Sequence, residues 1–269
     1  MTALNNDMIA AVFLGIVQGL TEFLPVSSTA HLILVTDALH LDPKKYGLAF
    51  DVALHLGTAL AVLIYFFTTW VGLLFDLLRG RVRLPLLIIV GTLPAAIAGV
   101  LFESWVEREL RSPIVIVLGL VVGSLVFVLA ERMAHQRRWI GELGFRDALF
   151  MGVAQAIALV PGISRSGITI SGGLFRDLHR FEATRFSFLL ATPVIIGAGV
   201  KTLIDTRTAA ELLTIPQLVL IGFVASFVSG WIAVAFLMSF LRSHPLTVFV
   251  FYRIALAALV VMLVVAKVL

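Results

Sequence analysis

The chain has 269 residues, of which 60% are hydrophobic and only 13% are charged, and its mean hydropathy is +1.08. A soluble domain has roughly 45–50% apolar and about 25% charged residues, so this chain has more apolar side chains than one soluble core can bury. The composition excludes a soluble enzyme, a disordered chain and a protein that binds nucleic acid. The net charge of +4 does not change this, because the basic residues form short clusters between apolar runs. Cysteine is absent, which excludes disulfides and thiolate chemistry.

Ten apolar runs follow one another along the chain, and six of them are long enough to cross a bilayer. A helix needs about 20 apolar residues to span the hydrocarbon core. The six long runs cover residues 48–75, 84–102, 113–130, 186–203, 216–241 and 246–268. The runs 30–41, 148–160 and 168–175 are too short, and the run 8–24 is borderline.

The four shorter runs form two pairs, and a polar break divides each pair. The first break is Pro-Val-Ser-Ser-Thr at residues 25–29, and the second is Pro-Gly-Ile-Ser-Arg-Ser-Gly at residues 161–167. Two half-length helices joined by a polar turn predict a re-entrant hairpin, which enters the membrane and leaves on the same side. Non-helical backbone at that depth must be buried in protein or line a wet cavity. Both breaks are therefore candidate walls of a functional site.

The order short, short, long, long, long occurs twice, which indicates an internal repeat. Matched residues recur at an offset of about 131–137 residues. The matched pairs are Gln18 and Gln155, Pro25 and Pro161, Ser28 and Ser164, Gly91 and Gly222, and Gly99 and Gly230. Three crossings in each half invert the second half relative to the first. We therefore predict a single all-α integral membrane domain over residues 1–269, an inverted-topology repeat with six transmembrane helices and two re-entrant helical hairpins. The repeats cover about 1–133 and 145–269.

The basic residues predict the orientation of this domain. Loops on one side carry eleven of the twenty Lys and Arg residues and loops on the other carry seven, so the first side is expected to be cytoplasmic. Both termini then face outward, and the two hairpin tips approach each other from opposite sides. The eight-residue glycine steps, Gly91 to Gly99 and Gly222 to Gly230, allow close helix packing and leave a homodimer open.

The first break carries an acid, hydroxyls and an imidazole. Gln18 and Glu22 are four residues apart and share one helix face, where their oxygens can hold a hard cation such as Mg²⁺ or Ca²⁺. Ser27, Ser28 and Thr29 open the next helix, so they serve as caps and also create an anion site. The residue three positions after Ser28 is a histidine, which places an imidazole beside that hydroxyl. An imidazole there is either structural or a partner that activates the nucleophile.

The second break carries a cation at the start of a helix. Arg165 has the planar donor fork that suits phosphate, and an ionisable group inside a membrane is costly and usually functional. Ser164 and Ser166 flank it, Gly167 allows the backbone to approach a ligand, and Thr169 adds a hydroxyl one turn later. The alternative interpretation is that Arg165 only pairs with the intramembrane acid of the first break and holds the hairpins together.

Together the two breaks suit phosphoryl transfer, which depends on positioning and on stabilising spread negative charge. One arginine does not neutralise a diphosphate, so we expect a divalent cation near Glu22. A secondary transporter or flippase for a phosphorylated lipid is the alternative, because inverted repeats and broken helices are also transporter features. The pairing of a serine with a histidine beside Glu22 favours chemistry over transport.

At these residues the chain resembles the bacterial undecaprenyl-pyrophosphate phosphatase family, also called the bacitracin-resistance type. The first motif reads QGLTEFLPVSSTAH from Gln18 to His31, and the second reads PGISRSGIT from Pro161 to Thr169. The similarity covers nearly the whole chain in the order and length of its segments. One position departs from the family pattern, since many members have Glu where this chain has Gln18, and an amide cannot act as a base.

The resemblance implies hydrolysis of undecaprenyl diphosphate, or another polyprenyl diphosphate, to the monophosphate and inorganic phosphate. This reaction recycles the lipid carrier of peptidoglycan synthesis and underlies bacitracin resistance. The resemblance also implies a multi-pass protein of the bacterial inner membrane, a site facing the outer side, and Mg²⁺ or Ca²⁺ as a cofactor. The implied residues are Glu22, Ser28, His31 and Arg165 for catalysis, Ser27, Thr29, Ser164, Ser166, Gly167 and Thr169 for substrate binding, and Gln18 and Glu22 for the metal. We favour attack by Ser28 with His31 as its acid-base partner, and a metal-held water is the alternative nucleophile.

Overall fold

A computed structural model describes residues 2–204 and 206–267 of the chain, and helices joined by short turns account for most of these residues. No β-strand occurs within these two ranges. The helices are α1 (Thr2–Phe23), α2 (Ser28–Ala38), α3 (Leu48–Tyr65), α4 (Phe67–Leu78), α5 (Arg83–Glu109), α6 (Pro113–Met133), α7 (Phe145–Ile157), α8 (Arg165–Phe175), α9 (Arg180–Ile204), α10 (Thr206–Thr214), α11 (Pro216–Phe240) and α12 (Val248–Val265). The predicted all-helical class is confirmed.

Within the described residues, five helices are long and apolar enough to cross a membrane, namely α5, α6, α9, α11 and α12. The bent pair α3 and α4 makes a sixth segment when its two helices are taken as one span, and the six then coincide with the six long runs of the sequence. The sequence predicted one continuous span over residues 48–75, and this detail is wrong. The helix ends at Tyr65 and restarts at Phe67, and the two axes differ by 71°.

The distribution of side chains is that of a protein surrounded by lipid. Large apolar side chains face outward along the long helices, for example Phe251 at 81% and Val100 at 72% exposure. Polar side chains such as Gln18, Ser226 and Arg253 are fully buried instead. Such an extensive apolar surface does not occur on a monomeric soluble protein. The chain is therefore a multi-pass membrane protein.

The helices beside the two breaks form two antiparallel pairs, α1 with α2 and α7 with α8, and α1 is the longest of the four at 22 residues. An ion pair closes the open end of each pair. The Asp7 carboxylate near the start of α1 lies 2.7 Å from Lys45 Nζ, beyond the end of α2. Asp147 in the first turn of α7 lies 2.6 Å from Arg176 Nε, directly after α8. Each pair therefore begins and ends at the same end of the molecule, with its break at the opposite tip.

Each pair packs mainly against a long helix from the other half of the chain, α1 against α11 and α7 against α5. Small residues permit this close approach. A Cβ atom on Gly15 would meet the backbone of Gly222, and one on Gly152 would meet the backbone of Gly91. A Cβ atom on Gly230 would likewise meet side chains of the same chain. Three of the four glycines considered for contacts between copies are thus packed within one chain, whereas Gly99 has open space around its Cα.

Candidate active site

The two breaks lie in direct contact, and a carboxylate from one faces a guanidinium from the other. Glu22, in the last turn of α1, places Oε1 3.5 Å from Nη1 of Arg165, the first residue of α8. The Glu22 side chain is only 3% exposed, while that of Arg165 is 29% exposed. The Ser27 hydroxyl accepts a hydrogen bond of 3.1 Å from the Gly162 N–H. A negative and a positive group thus share one site at the meeting point of both tips.

The two breaks share an unusual backbone conformation. Ser27 and Ser164 each precede a helix of 11 residues, and their φ angles are 75° and 76°. Residues other than glycine rarely adopt positive φ, and strain of this kind costs on the order of 1–3 kcal/mol. This geometry makes Ser27 the counterpart of Ser164, so the sequence match of Ser28 to Ser164 is wrong by one residue. The reason is that the second break holds one more residue between its proline and its cap.

The Ser28 hydroxyl is bound to the acid of the first hairpin. Its Oγ donates a hydrogen bond of 2.5 Å to Glu22 Oε2, and the Gln18 amide donates to the same oxygen at 3.2 Å. All three side chains are buried. A carboxylate that accepts the hydroxyl proton of a serine is placed to act as its general base.

His31 is held away from Ser28, which corrects the expectation that the two form a pair. Its Nδ1 lies 2.8 Å from the Ser27 carbonyl oxygen, so Nδ1 donates. Its Nε2 lies 2.6 Å from the Tyr252 hydroxyl and accepts from it. The spacing of three residues on α2 is as predicted, but the turned backbone at Ser27 offers its carbonyl to the imidazole instead.

A narrow cleft of about 20 Å³ opens at the meeting point of the tips. It is lined by Glu22, Ser27, Ser28, Thr29, Ala158, Ser164 and Arg165. Pockets for drug-sized ligands occupy roughly 300–1,000 Å³, so this cleft admits a small polar group and has no room for a long hydrocarbon chain. Its hydroxyls, carboxylate and guanidinium are side-chain groups that can bind or transfer phosphate.

Known proteins are similar in sequence to this chain over almost its full length. Residues 11–259 match the family described as "Bacitracin resistance protein BacA". The chain belongs to this family. Curated relatives named undecaprenyl-diphosphatase include one from Rubrobacter xylanophilus, which is 45% identical, with 94% of this chain and 97% of the relative covered. Others come from Thermodesulfovibrio yellowstonii, at 41% identity with 96% and 98% covered, and Elusimicrobium minutum, at 42% identity with 97% and 98% covered.

The remaining site residues expected from the BacA motifs lie on α8 or directly before it. The Ser164 hydroxyl accepts from the Gly167 N–H at 3.3 Å and caps the helix, and Ser166 Oγ lies 3.3 Å from Ser164 Oγ. Gly167 packs against the Phe127 ring, which leaves no room for a Cβ, so its small size serves helix packing rather than ligand approach. Thr169 is fully buried, and no hydrogen-bond partner for its hydroxyl occurs among the described residues.

Two charged or chargeable residues to which the sequence assigned no role also lie at this BacA site. His55 on α3 places Nε2 3.5 Å from Glu22 Oε2. Arg253 on α12 is fully buried and donates to the carbonyl oxygens of Pro25 at 3.2 Å and Gly162 at 2.8 Å, one from each break. Both residues interrupt apolar runs, which is a signal of function inside a membrane. Their partners lie far away in the sequence or are backbone carbonyls, which no motif displays.

Proposed function

We propose that the chain hydrolyses undecaprenyl diphosphate, or a closely similar polyprenyl diphosphate, to the monophosphate and inorganic phosphate. This reaction would recycle the lipid carrier for cell-wall synthesis. The observation that carries the proposal is the 2.5 Å hydrogen bond from Ser28 to Glu22, beside Arg165. The names of the relatives, which are 41–45% identical, support the choice of substrate. A serine held on a base is chemistry that a flippase does not need.

We propose further that the helix pairs α1 with α2 and α7 with α8 are re-entrant hairpins of an inverted repeat. The ion pairs that close both hairpins at their open ends support this, as does the packing of each hairpin against a helix of the other half. The site then lies near the midplane of the bacterial inner membrane and opens to the outer side. A diphosphate on a membrane-embedded lipid would reach the tips without leaving the bilayer.

The second hairpin binds the diphosphate in this proposal. Arg165 supplies the planar donor fork, and the first N–H groups of α8 add the positive end of the helix dipole. Ser164, Ser166 and Thr169 contribute hydroxyls, and Thr29 contributes one from the opposite tip. This polar set neutralises and orients the terminal phosphate in front of Ser28.

A divalent cation, Mg²⁺ or Ca²⁺, would be held by Gln18 and Glu22. The residues fit such an ion, because Gln18 is fully buried and its Oε1 lacks a hydrogen-bond partner within the described part of the chain. Carboxylate and amide oxygens are ligands that both ions accept. When bound, the cation would offset the negative charge of the diphosphate, which one guanidinium does not.

The reaction follows from the positions of Ser28 and Glu22. Ser28 Oγ attacks the terminal phosphorus, and its proton passes to the Glu22 carboxylate. The bond from phosphorus to the bridging oxygen breaks, so the lipid monophosphate leaves and a phosphoserine remains. Water then attacks the phosphoserine, and the Glu22 carboxyl returns its proton to Ser28 Oγ as inorganic phosphate departs. Arg165 stabilises the negative charge on the transferred group in both steps. His31 Nδ1–H donates to the Ser27 carbonyl oxygen and so orients the turned backbone at Ser27.

A phosphate-release assay on the purified full chain tests this proposal. We expect release from undecaprenyl diphosphate with Mg²⁺ or Ca²⁺, loss with a chelator, and a decrease in kcat of about 10²–10⁴-fold for Glu22→Gln, since general-base catalysis contributes that much. Glu142→Gln, at an exposed turn, is the control and should keep wild-type activity. Acid quenching should trap phosphate on Ser28. Full activity of Glu22→Gln would refute the role of Glu22, and turnover without phosphoserine would favour a metal-held water.

A further inference from the structure

His55 and Glu22 direct two acceptor atoms at each other. The Nδ1 atom of His55 lies 2.8 Å from the Asp51 carbonyl oxygen, which can only accept, so Nδ1 carries the ring proton. In the neutral ring, Nε2 then presents a lone pair. That atom lies 3.5 Å from Glu22 Oε2, which also presents lone pairs. Two such atoms repel each other unless a cation or a proton lies between them.

A third acceptor belongs to the same group of side chains. Gln18 Nε2 donates to Glu22 Oε2, and the other amide atom of Gln18, Oε1, has no hydrogen-bond partner among the described residues. Gln18 is 0% exposed, so water does not solvate this oxygen from outside. A buried acceptor without a donor is unfavourable, and a bound cation satisfies it.

We propose that His55 is the third protein ligand of the divalent cation held by Gln18 and Glu22. The inference rests on the proposed function for the identity of this ion as the cofactor of the phosphatase. The 3.5 Å between His55 Nε2 and Glu22 Oε2 is close to this geometry, since bonds of about 2.1 Å to one ion place neighbouring ligand atoms roughly 3.0–3.4 Å apart. The Nδ1 contact agrees as well, because a histidine that binds metal almost always donates its other ring N–H to a carbonyl or carboxylate.

The Glu22 carboxylate can serve the cation and Arg165 at once, because its two oxygens face different partners. Oε1 lies 3.5 Å from Arg165 Nη1, whereas Oε2 faces Gln18, Ser28 and His55. The cation and the guanidinium thus occupy separate sides of one carboxylate. The competing arrangement is an imidazolium at His55 that pairs with Glu22 directly and needs no metal.

A nitrogen ligand has a consequence for metal choice. Mg²⁺ and Ca²⁺ prefer oxygen ligands, whereas imidazole suits later divalent ions, and affinity at mixed sites rises from Mn²⁺ through the first-row series. With His55 in place, the site is expected to bind Mn²⁺ more tightly than Ca²⁺. His55→Gln replaces the nitrogen by an amide oxygen and should reverse that preference.

Electron spin-echo spectroscopy of Mn²⁺ on the purified full chain, without substrate, tests the proposal. We expect nitrogen modulation from a bound imidazole in the wild type. His55→Gln should remove the modulation and weaken Mn²⁺ binding by roughly tenfold or more, with a smaller effect on Ca²⁺. His31→Gln is the matched control and should keep the modulation, since His31 bonds to Ser27 and Tyr252 instead.

Isotopically labelled histidine in the wild type gives a second readout that needs no variant. The modulation frequency should change with the isotope, and His31→Gln should leave that change intact. Bound Mn²⁺ without nitrogen modulation, or modulation that survives in folded His55→Gln, would overturn the inference and favour the imidazolium. Phosphate release from the same samples separates the two claims, because nitrogen-bound Mn²⁺ without hydrolysis would retain the ligand and reject the proposed function.

Discussion

The first and second hairpins share one turn conformation and differ in chemistry. In both, a serine with positive φ occupies the N-cap position of a helix of 11 residues, and an ion pair closes the open end. The first helical residue is Ser28 in one and Arg165 in the other. The proposed nucleophile and the proposed phosphate-binding cation therefore occupy equivalent positions, so the strained turn sets the geometry and the residue that follows it sets the chemistry.

The glutamines of the two hairpins also differ in their hydrogen bonds. Gln18 donates to Glu22, whereas neither amide atom of its counterpart, Gln155, has a hydrogen-bond partner among the described residues. The position that matches Glu22 in the second hairpin is Leu159. An apolar side chain there removes the acid and leaves Gln155 without its local partner. In the proposed repeat, only the first hairpin thus carries an acid at this position.

Among the variants that test the difference between the two hairpins, replacement of Arg165 should have the largest effect on activity. Arg165→Ala removes the cation at the second tip, and kcat/KM for the lipid diphosphate should fall by about 10²–10³-fold, as when one oxyanion donor is lost. Arg165→Lys should recover only part of this, because a point charge lacks the fork. Phosphate release measures the effect. Arg137→Ala, on an exposed loop, is the control, and equal activities of these variants would contradict the assignment.

Replacing Arg253 should weaken the contact between the two tips and lower the stability of the fold. Arg253 donates to both breaks, and its removal leaves the carbonyls of Pro25 and Gly162 without a charged donor. Hydrogen bonds of this kind contribute about 1.5–3 kcal/mol each, so Arg253→Met should lower the free energy of unfolding by about 3–6 kcal/mol. Thermal unfolding in detergent measures this. Arg242→Met, at an exposed position, should change stability much less.

The sequence predicted the long apolar segments and the two breaks, because both depend on local composition. It also predicted the partners Glu22 and Arg165, since each is an ionisable group in an apolar setting. It did not predict the bend at Phe66, where neither proline, glycine nor charge interrupts the apolar run. The roles of His55 and Arg253 were hidden for a different reason, because their partners are set by tertiary packing.

The shared strain can be tested by two substitutions at each cap. Ser27→Gly and Ser27→Ala lose the same hydroxyl, as do Ser164→Gly and Ser164→Ala, so each pair isolates the backbone. The glycine variants should be more stable than the alanine variants by about 1–2 kcal/mol, because alanine tolerates positive φ poorly. Ser239 in α11 is the control, where the alanine variant should be more stable than the glycine variant by about 1 kcal/mol. Equal stabilities at Ser27 and Ser164 would show that the turns are unstrained.

The smallest effect should come from the ion pairs that close the two hairpins, and they should differ. The Asp147 side chain is 6% exposed and that of Asp7 is 27% exposed, so solvent screens the pair of Asp7 with Lys45 more strongly. Arg176→Met should therefore lower Tm by about 2–4 °C, and Lys45→Met should lower it less. The hydrogen bond to Asp7 raises the pKa of Lys45, so its contribution holds at neutral pH and is lost only as pH rises through that raised value. Amide exchange at the two tips checks the ranking, which fails if Lys45→Met loosens its hairpin as much as Arg176→Met does.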